Sequence, residues 1–522
     1  MSGSQRYQLS ARTSGTAMFG LTVPQIGLLI AGVLVALRTV SVGGPTPVHF
    51  LVGAAAVGSA AVLAFTPWAG RKLYEMVPTA LRFSLRAATD ANRWFAPIPA
   101  LGIDGRPLSK ARLPRCLAGL EIRSVPRPAW AGMDQSMGPL GLAVDRRSGA
   151  VTGVVSVKGS EFQLIPEPDQ HYRIFGWNTV LAQFAREAAP VARICWHEWS
   201  SPAPLSEHLD WLAANSNPAA PAAGPYRQLL GDLSTRDGSS PDPYAQQSAR
   251  VARHELRVTV TVHPRNLRRR RRSGARAKRD AAGTAVQMLQ TLTQRCRAAA
   301  LVVSPPLSPA QIAETVRVQG DPDAIRSLPQ TRGLGERAGV VPAAYGPLAM
   351  DVSWDAVRID RAWHRCFWVQ SWPTLEVEAN WIEPLLLDTI GTRTVTMIME
   401  PVDPATSRRH MSKEAVGIEA SIDLRDKKGF RVPAELRRAQ SDLDRREVEI
   451  TTGSSEYAYL ALIEVAAESL DMLDELTNAY VTVAAQCGLE LRSLDGRHDA
   501  AWACTLPIGR APDKDLLGAV KG

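Results

Sequence analysis

The sequence predicts an α+β membrane protein: an N-terminal two-helix transmembrane hairpin, then ferredoxin-like α/β soluble domains with a C-terminal helical hairpin. Three observations lead there. Two uncharged apolar stretches lie close together near the N-terminus, at 21–37 and 48–65. Strand-like and helix-like periodicities then alternate along the chain. Toward the C-terminus, helical patterns at 431–450 and 456–486 flank a short turn at 451–455.

Residues 21–37 (LTVPQIGLLIAGVLVAL) and 48–65 (VHFLVGAAAVGSAAVLAF) carry no Asp, Glu, Lys or Arg. Each meets the lower limit of ~17–25 residues for a helix crossing ~30 Å of hydrocarbon. The segment between them, RTVSVGGPTP at 38–47, has the glycines and prolines of a tight turn. Pro24 sits in the first turn of span one, where its missing amide costs nothing. In span two, Gly53, Ala56, Ala60 and Ala64 share one face, and small residues at this spacing admit a close neighbouring helix.

Orientation follows from the flanking cations. Arg6 and Arg12 precede span one, Arg38 alone lies between the spans, and Arg71, Lys72, Arg82 and Arg86 follow span two. The positive-inside rule then puts both termini in the cytoplasm of a multi-pass protein of the inner (plasma) membrane. Trp68 falls where an interfacial aromatic anchor is expected. A cleaved signal peptide fits poorly, because a second span follows at once.

The chain has 522 residues, which implies two to four folding units at ~100–200 residues each. Apolar residues make up 45% and charged residues 21%, enough to bury real cores, so a wholly disordered chain is excluded. The expected division is a cytoplasmic tail (1–20), the hairpin (21–65), a juxtamembrane helix and linker (66–111), a first α+β domain (112–215), a second α+β region with a basic loop (216–350), and a third with the long helical hairpin (351–522).

In the juxtamembrane segment 73–95, Leu81, Leu85 and Trp94 alternate with Arg82, Arg86 and Arg93. This predicts a helix whose cations meet anionic headgroups. Strands are expected at 119–125, 140–144, 151–157, 191–199, 255–263, 300–303, 362–369, 392–400, 489–494 and 501–506. Helices are expected at 169–188, 275–299 and 309–319. The run 255–263 alternates most cleanly, with Leu256, Val258, Val260 and Val262 on one face.

Motifs for chemistry are mostly missing from the sequence. No G-x-x-x-x-G-K-[ST], H-E-x-x-H, G-x-S-x-G or G-x-G-x-x-G occurs. No catalytic residue, metal ligand or cofactor is therefore assigned, and the expectation is a non-enzyme. His197 and Glu198 adjoin on a strand and so point to opposite faces. His364 and Cys366 share a face but lack a third orienting group. Glu400 and Asp403 read as a strand-end turn. Six cysteines, none in a C-x-x-C pair, do not make a disulfide scaffold and read as buried thiols in a reducing compartment.

One charge run stands out. Residues 265–279 (RNLRRRRRSGARAKR) hold Arg265, Arg268, Arg269, Arg270, Arg271, Arg272, Arg276, Lys278 and Arg279, as many cations as the chain's net charge of +9. They lie at the head of a predicted helix, where cations oppose the helix dipole. Contact with phosphates of DNA or of anionic lipid, docking on an acidic partner, and a merely solvated loop all remain open.

Two stretches carry a resemblance. The start RYQLSARTSGTAMFGLTVPQ (6–25), with its two short spans, looks like the small PrgI-like membrane subunit of conjugative type IV secretion systems. The C-terminal part, ending GLELRSLDGRHDAAWACTLPIG (488–509), is similar to the non-catalytic N-terminal domain of the large ATPase of those systems. The whole chain most closely resembles the actinobacterial SCO-type conserved membrane proteins. In the ATPases a Walker motif follows the Leu-Pro close; here the chain ends thirteen residues after Gly509. The resemblance implies a structural and docking subunit of a DNA or protein transfer apparatus. It would assemble as a homo-oligomer, contact membrane lipid and recruit a separate ATP-binding motor protein. The alternative is a membrane-tethered nucleic-acid-binding protein that uses the basic run.

Overall fold

The computed structural model describes residues 23–44, 46–68, 71–96, 113–127, 138–158, 165–186, 189–202, 252–268 and 274–512, apart from 325–344, 374, 388–389, 428 and 452–454, with isolated positions between 212 and 228. The expected tail 1–20, most of the linkers at 96–102 and 213–224, and Arg269 to Arg272 lie outside the described residues.

Helices α1 (Val23–Gly43) and α2 (Pro47–Phe65) form an antiparallel pair, each long and apolar enough to cross a membrane. α1 continues through Arg38 to Gly43, so the connection is shorter than the sequence suggests. Gly44 turns the chain at φ +77°, a conformation that glycine adopts without a Cβ penalty. Pro47 then opens α2 at a position that needs no amide.

A two-stranded ribbon follows, β1 (Pro67–Trp68) with β2 (Arg71–Lys72), and leads into helix α3 (Leu73–Ala88). The expected helix 73–95 stops at Ala88. Asp90 takes a positive φ of 50°, and Arg93–Phe95 becomes strand β3, on the edge of the main sheet. Trp94 and Arg93 therefore belong to a strand, not to the juxtamembrane helix.

The main sheet is antiparallel throughout. Its first half holds β4 (Leu120–Val125), β5 (Leu140–Asp145), β6 (Val151–Lys158), β7 (Val191–Pro202) and β8 (Ala252–Val262). Helix α4 (Glu167–Phe184) precedes β7; helices α5 (Pro264–Arg268) and α6 (Gly274–Ala298) follow β8 and lead to β9 (Val302–Pro306). Helix α7 (Pro309–Gly320) starts with a reciprocal capping box between Ser308 and Gln311.

The second half holds β10 (Ala349–Val352), β11 (Val357–Ile359), β12 (Ala362–Ser371), a short helix α8 (Glu383–Leu387) and β13 (Thr392–Pro401). The helices α9 (Pro404–Lys427) and α10 (Ala434–Thr451) form an excursion before β14 (Tyr457–Ala467), helix α11 (Leu470–Gln486), β15 (Glu490–Ser493) and helix α12 (His498–Thr505).

The spatial order is β3-β10-β11-β12-β14-β13-β7-β8-β6-β5-β4, with β15 beside β12 and β9 beside β6. Two groups of four recur in it. In the first, β9-β6-β8-β7 lie side by side; in the second, β15-β12-β14-β13 do. β7 and β13 join the groups, with Thr396 opposite His197 at the seam.

Both faces of the sheet are covered. On one, α6 packs Leu289 and Leu292 with Val155 and Val258, while α11 packs Leu473 and Tyr480 with Phe367 and Ile463. On the other, α7 and α12 share a single core, where Ile312 and Trp502 join Ile122, Val154, Cys366 and Trp368.

This double covering explains two departures from the expected elements. Residues 457–467, expected as helix, are the central strand β14, because Leu460 to Ala467 are all buried and no period of two is left to read. The helical hairpin of this half is accordingly α9 with α10, not 431–450 with 456–486. Residues 501–506, expected as a strand, lie mostly in α12, whose Ala501, Trp502, Ala503 and Cys504 are likewise all buried. Pro507 holds Leu506 extended and ends that helix.

Candidate functional site

Small residues bring α1 and α2 together. Gly53, Ala60 and Ala64 are buried and Ala56 is half-buried beside them. A Cβ on Gly32 would lie 2.6 Å from the Ala60 methyl and 3.3 Å from the Ala56 carbonyl, and one on Gly53 would lie 3.3 Å from the Ala36 methyl. At the far end, the Gln25 amide donates to the Ala64 carbonyl at 2.8 Å, so a polar side chain in an apolar helix is satisfied. The outer faces carry Ile30, Leu34 and Leu51, each more than half exposed.

α3 fastens this hairpin to the sheet. Its first amide, Leu73 N–H, donates to Thr66 O at 3.2 Å, so it starts where α2 ends. Glu75 meets Arg492 at 2.6 Å, Phe83 packs edge-on against Trp354, and Arg86 meets Asp499 at 2.9 Å. Arg86 points to the sheet side of α3: its side chain is 19% exposed and it pairs with Asp499. Arg82, four residues earlier, is exposed on the same side. The opposite side of α3 leaves Val77, Leu81 and Leu85 in solvent.

Between α3 and the sheet lies a cavity of about 1020 Å³. Arg82 and Arg86 line it from α3. Arg115 and Arg147 reach it from the turns around β4 and β5, Arg193 from β7, Arg265 from α5, and Arg497 and Arg510 from either end of α12. Among the described residues, eight arginines and two carboxylates, Asp145 and Asp499, line the cavity. Asp145 is occupied by the Arg147 amide and the Ser148 hydroxyl, both at 2.9 Å. Arg193 donates to Gly509 O at 2.6 Å and reaches Glu400 at 3.3 Å; Arg510 donates to Ala118 O at 2.8 Å. Among the described residues, the Nε atoms of Arg86, Arg193 and Arg510 are buried and have no hydrogen-bond partner. Cys116 also lines the cavity, and burial drives its thiol far above the usual range, which keeps it protonated.

Of the basic run, Arg265 is exposed at this cavity, and Arg268 closes α5. Arg276, Lys278 and Arg279 fall in the first turns of α6. Trp68 and Arg71 are register partners in the β1–β2 ribbon, and Lys72 precedes α3.

The other sequence candidates are structural. His197 Nδ1 lies 2.9 Å from Thr505 O, and burial lowers its pKa to about 3, so the ring is neutral with the proton on Nδ1. Glu198, on the opposite face, pairs with Arg393 at 2.5 Å and His254 at 2.9 Å. His364 finds its orienting group in Glu464 at 2.6 Å, and its Nε2 donates to Gly320 O at 2.9 Å. This pair is closed off from solvent. All six cysteines are buried. Among the described residues no group of three or more His, Cys, Asp or Glu could hold a metal ion.

The arginine cavity has no local signature in the sequence, because its residues are spread from Arg82 to Arg510 and are gathered only by the fold. In comparisons with known proteins, no family model and no curated protein matches the chain.

Proposed function

We propose that this chain is a membrane-anchored docking subunit of a type IV secretion-like or conjugative transfer apparatus. In this reading α1 and α2 cross the inner membrane, both termini face the cytoplasm, and a separate ATP-binding protein supplies the motor. One observation carries it: an apolar hairpin with exposed outer faces is locked through α3 to a broad, doubly covered sheet. Force or position at the membrane is thereby passed to a large docking body. Arg71, Lys72, Arg82 and Arg86 against Arg38 alone support the orientation.

The orders β9-β6-β8-β7 and β15-β12-β14-β13, with helices between the strands, support reading both halves as ferredoxin-like units joined edge to edge. The placement in a transfer apparatus extends the resemblance of 6–25 and 488–509. The absence of a Walker pattern from the sequence supports the reliance on a partner. Assembly with further copies of the chain belongs to the same reading.

Co-expression with a Walker-bearing ATPase from the same gene neighbourhood, followed by purification in mild detergent, tests the proposal. The expected result is a stable complex in which ATP hydrolysis follows the partner. ATP hydrolysis by this chain alone, or no complex with the ATPase, would overturn it. A second reading, nucleic-acid binding by 265–279, is favoured by the exposure of Arg265 beside other arginines. It requires an affinity that falls steeply with salt and is lost when Arg268 to Arg272 become Ala.

A further inference from the structure

We propose that the arginine-lined cavity binds the phosphate headgroup of an anionic phospholipid. The inference rests on the membrane-anchored reading and adds a ligand site to it. Three features point to a phosphate. Among the described residues, eight arginines line the cavity against two carboxylates, and both of those are already engaged, by Arg86 and by the turn at Arg147. Guanidinium groups line it from α3, β7 and the segment after α12, and arginine is the side chain best suited to phosphate oxygens. Arg86, Arg193 and Arg510 are held in place by hydrogen bonds to Asp499, Gly509 O and Ala118 O, so the cationic wall is ordered before a ligand arrives.

The position selects a lipid over a free phosphate. α3 is one wall of the cavity and begins hydrogen-bonded to the end of α2, at the level where the hairpin leaves the bilayer. Its outer face presents Val77, Leu81 and Leu85 at successive turns, all exposed, as a helix lying in the membrane interface does. Leu85 also lines the cavity, so it bridges the polar pocket and the apolar face. A headgroup in the cavity can therefore keep its acyl chains along Leu85 in the hydrocarbon. The volume, about 1020 Å³, admits a glycerophosphate headgroup with water.

The test uses the full chain in a neutral detergent, titrated with dioctanoyl phosphatidylglycerol, dioctanoyl phosphatidylcholine, inorganic phosphate and a DNA duplex, with the unfolding temperature as readout. Phosphatidylglycerol should raise it by several degrees at concentrations where phosphatidylcholine and inorganic phosphate do nothing. Replacing the exposed Arg115, Arg147 and Arg265 together by Gln should weaken the phosphatidylglycerol effect at least tenfold in concentration. A photoreactive phosphatidylglycerol gives a readout on the unaltered chain and should label α3 and the segments around Arg115 and Arg147. Equal shifts with phosphatidylcholine or inorganic phosphate, labelling confined to other segments, or DNA displacing the lipid at the same arginines would overturn the proposal. Carbonate extraction keeps the two failures apart: a chain that stays in membranes yet shows no lipid selectivity loses only this site.

Discussion

Arg86, on the helix that follows the apolar hairpin, meets Asp499, 413 positions later, at 2.9 Å with both side chains largely buried. Asp499 opens α12, where a carboxylate also complements the helix dipole. The contact ties the helix after the apolar pair to the last helix packed on the sheet and closes one side of the arginine cavity.

Removing one partner of this pair leaves the other charge largely buried and uncompensated. Arg86→Ala and Asp499→Ala should each destabilise the protein by about 2–4 kcal/mol. Denaturant unfolding in detergent measures this. Hydrogen exchange should show α3 opening faster while α1 and α2 keep their protection. In a double-mutant cycle the two substitutions should be markedly less than additive.

A second buried pair holds the two halves of the sheet together. Arg393 on β13 is fully buried and donates to Glu198 on β7 at 2.5 Å, with the Tyr480 ring beside its guanidinium. Arg393→Met strands a buried carboxylate whose other partner is His254. It should cost about 3–5 kcal/mol, whereas Arg393→Met with Glu198→Leu should recover much of that loss. Thermal unfolding of the three variants decides the matter.

His197 makes stability depend on pH. Burial holds its pKa near 3 in the folded protein, against an ordinary value of 6.5. Above pH 6.5 the ring is neutral in both states and contributes no pH dependence. As the pH falls below 6.5, the unfolded chain takes up a proton that the folded chain refuses, so stability drops by up to about 1.4 kcal/mol per pH unit until pH 3. Between pH 6.5 and 5, before most carboxylates titrate, a His197→Gln variant should show a shallower decline than the parent in urea-unfolding midpoints.

Helix packing in the hairpin leaves no room at Gly32. A Cβ there would meet the Ala60 methyl at 2.6 Å, so Gly32→Val should force the helices apart and cost about 1–3 kcal/mol. Gly58 provides the control, because a methyl group there would meet nothing within 4 Å: Gly58→Ala should be neutral or mildly stabilising. Thermal unfolding in detergent distinguishes the two.

The parts of the fold legible in the sequence are those with one apolar and one polar face or a strong composition signal. β8 alternates because one of its faces is more polar, and the hairpin is uncharged over nearly its whole length. β14 and α12 escape a sequence reading because both are enclosed by apolar neighbours, which erases the period that separates strand from helix. α9 has no sequence-based expectation, its stretch PATSRRHMSKEAVGIEASIDLRDK being polar around most of its surface. The basic run stands out because it is contiguous. The cavity does not, since Arg115, Arg193 and Arg510 become neighbours only when β4, β7 and the segment after α12 meet.

The account turns on α1 and α2 residing in a bilayer with the sheet held against its surface. Alkaline carbonate extraction of membranes from cells making the full-length chain tests this most directly. The prediction is that the protein stays in the membrane pellet with integral proteins. Its release into the supernatant would contradict the account.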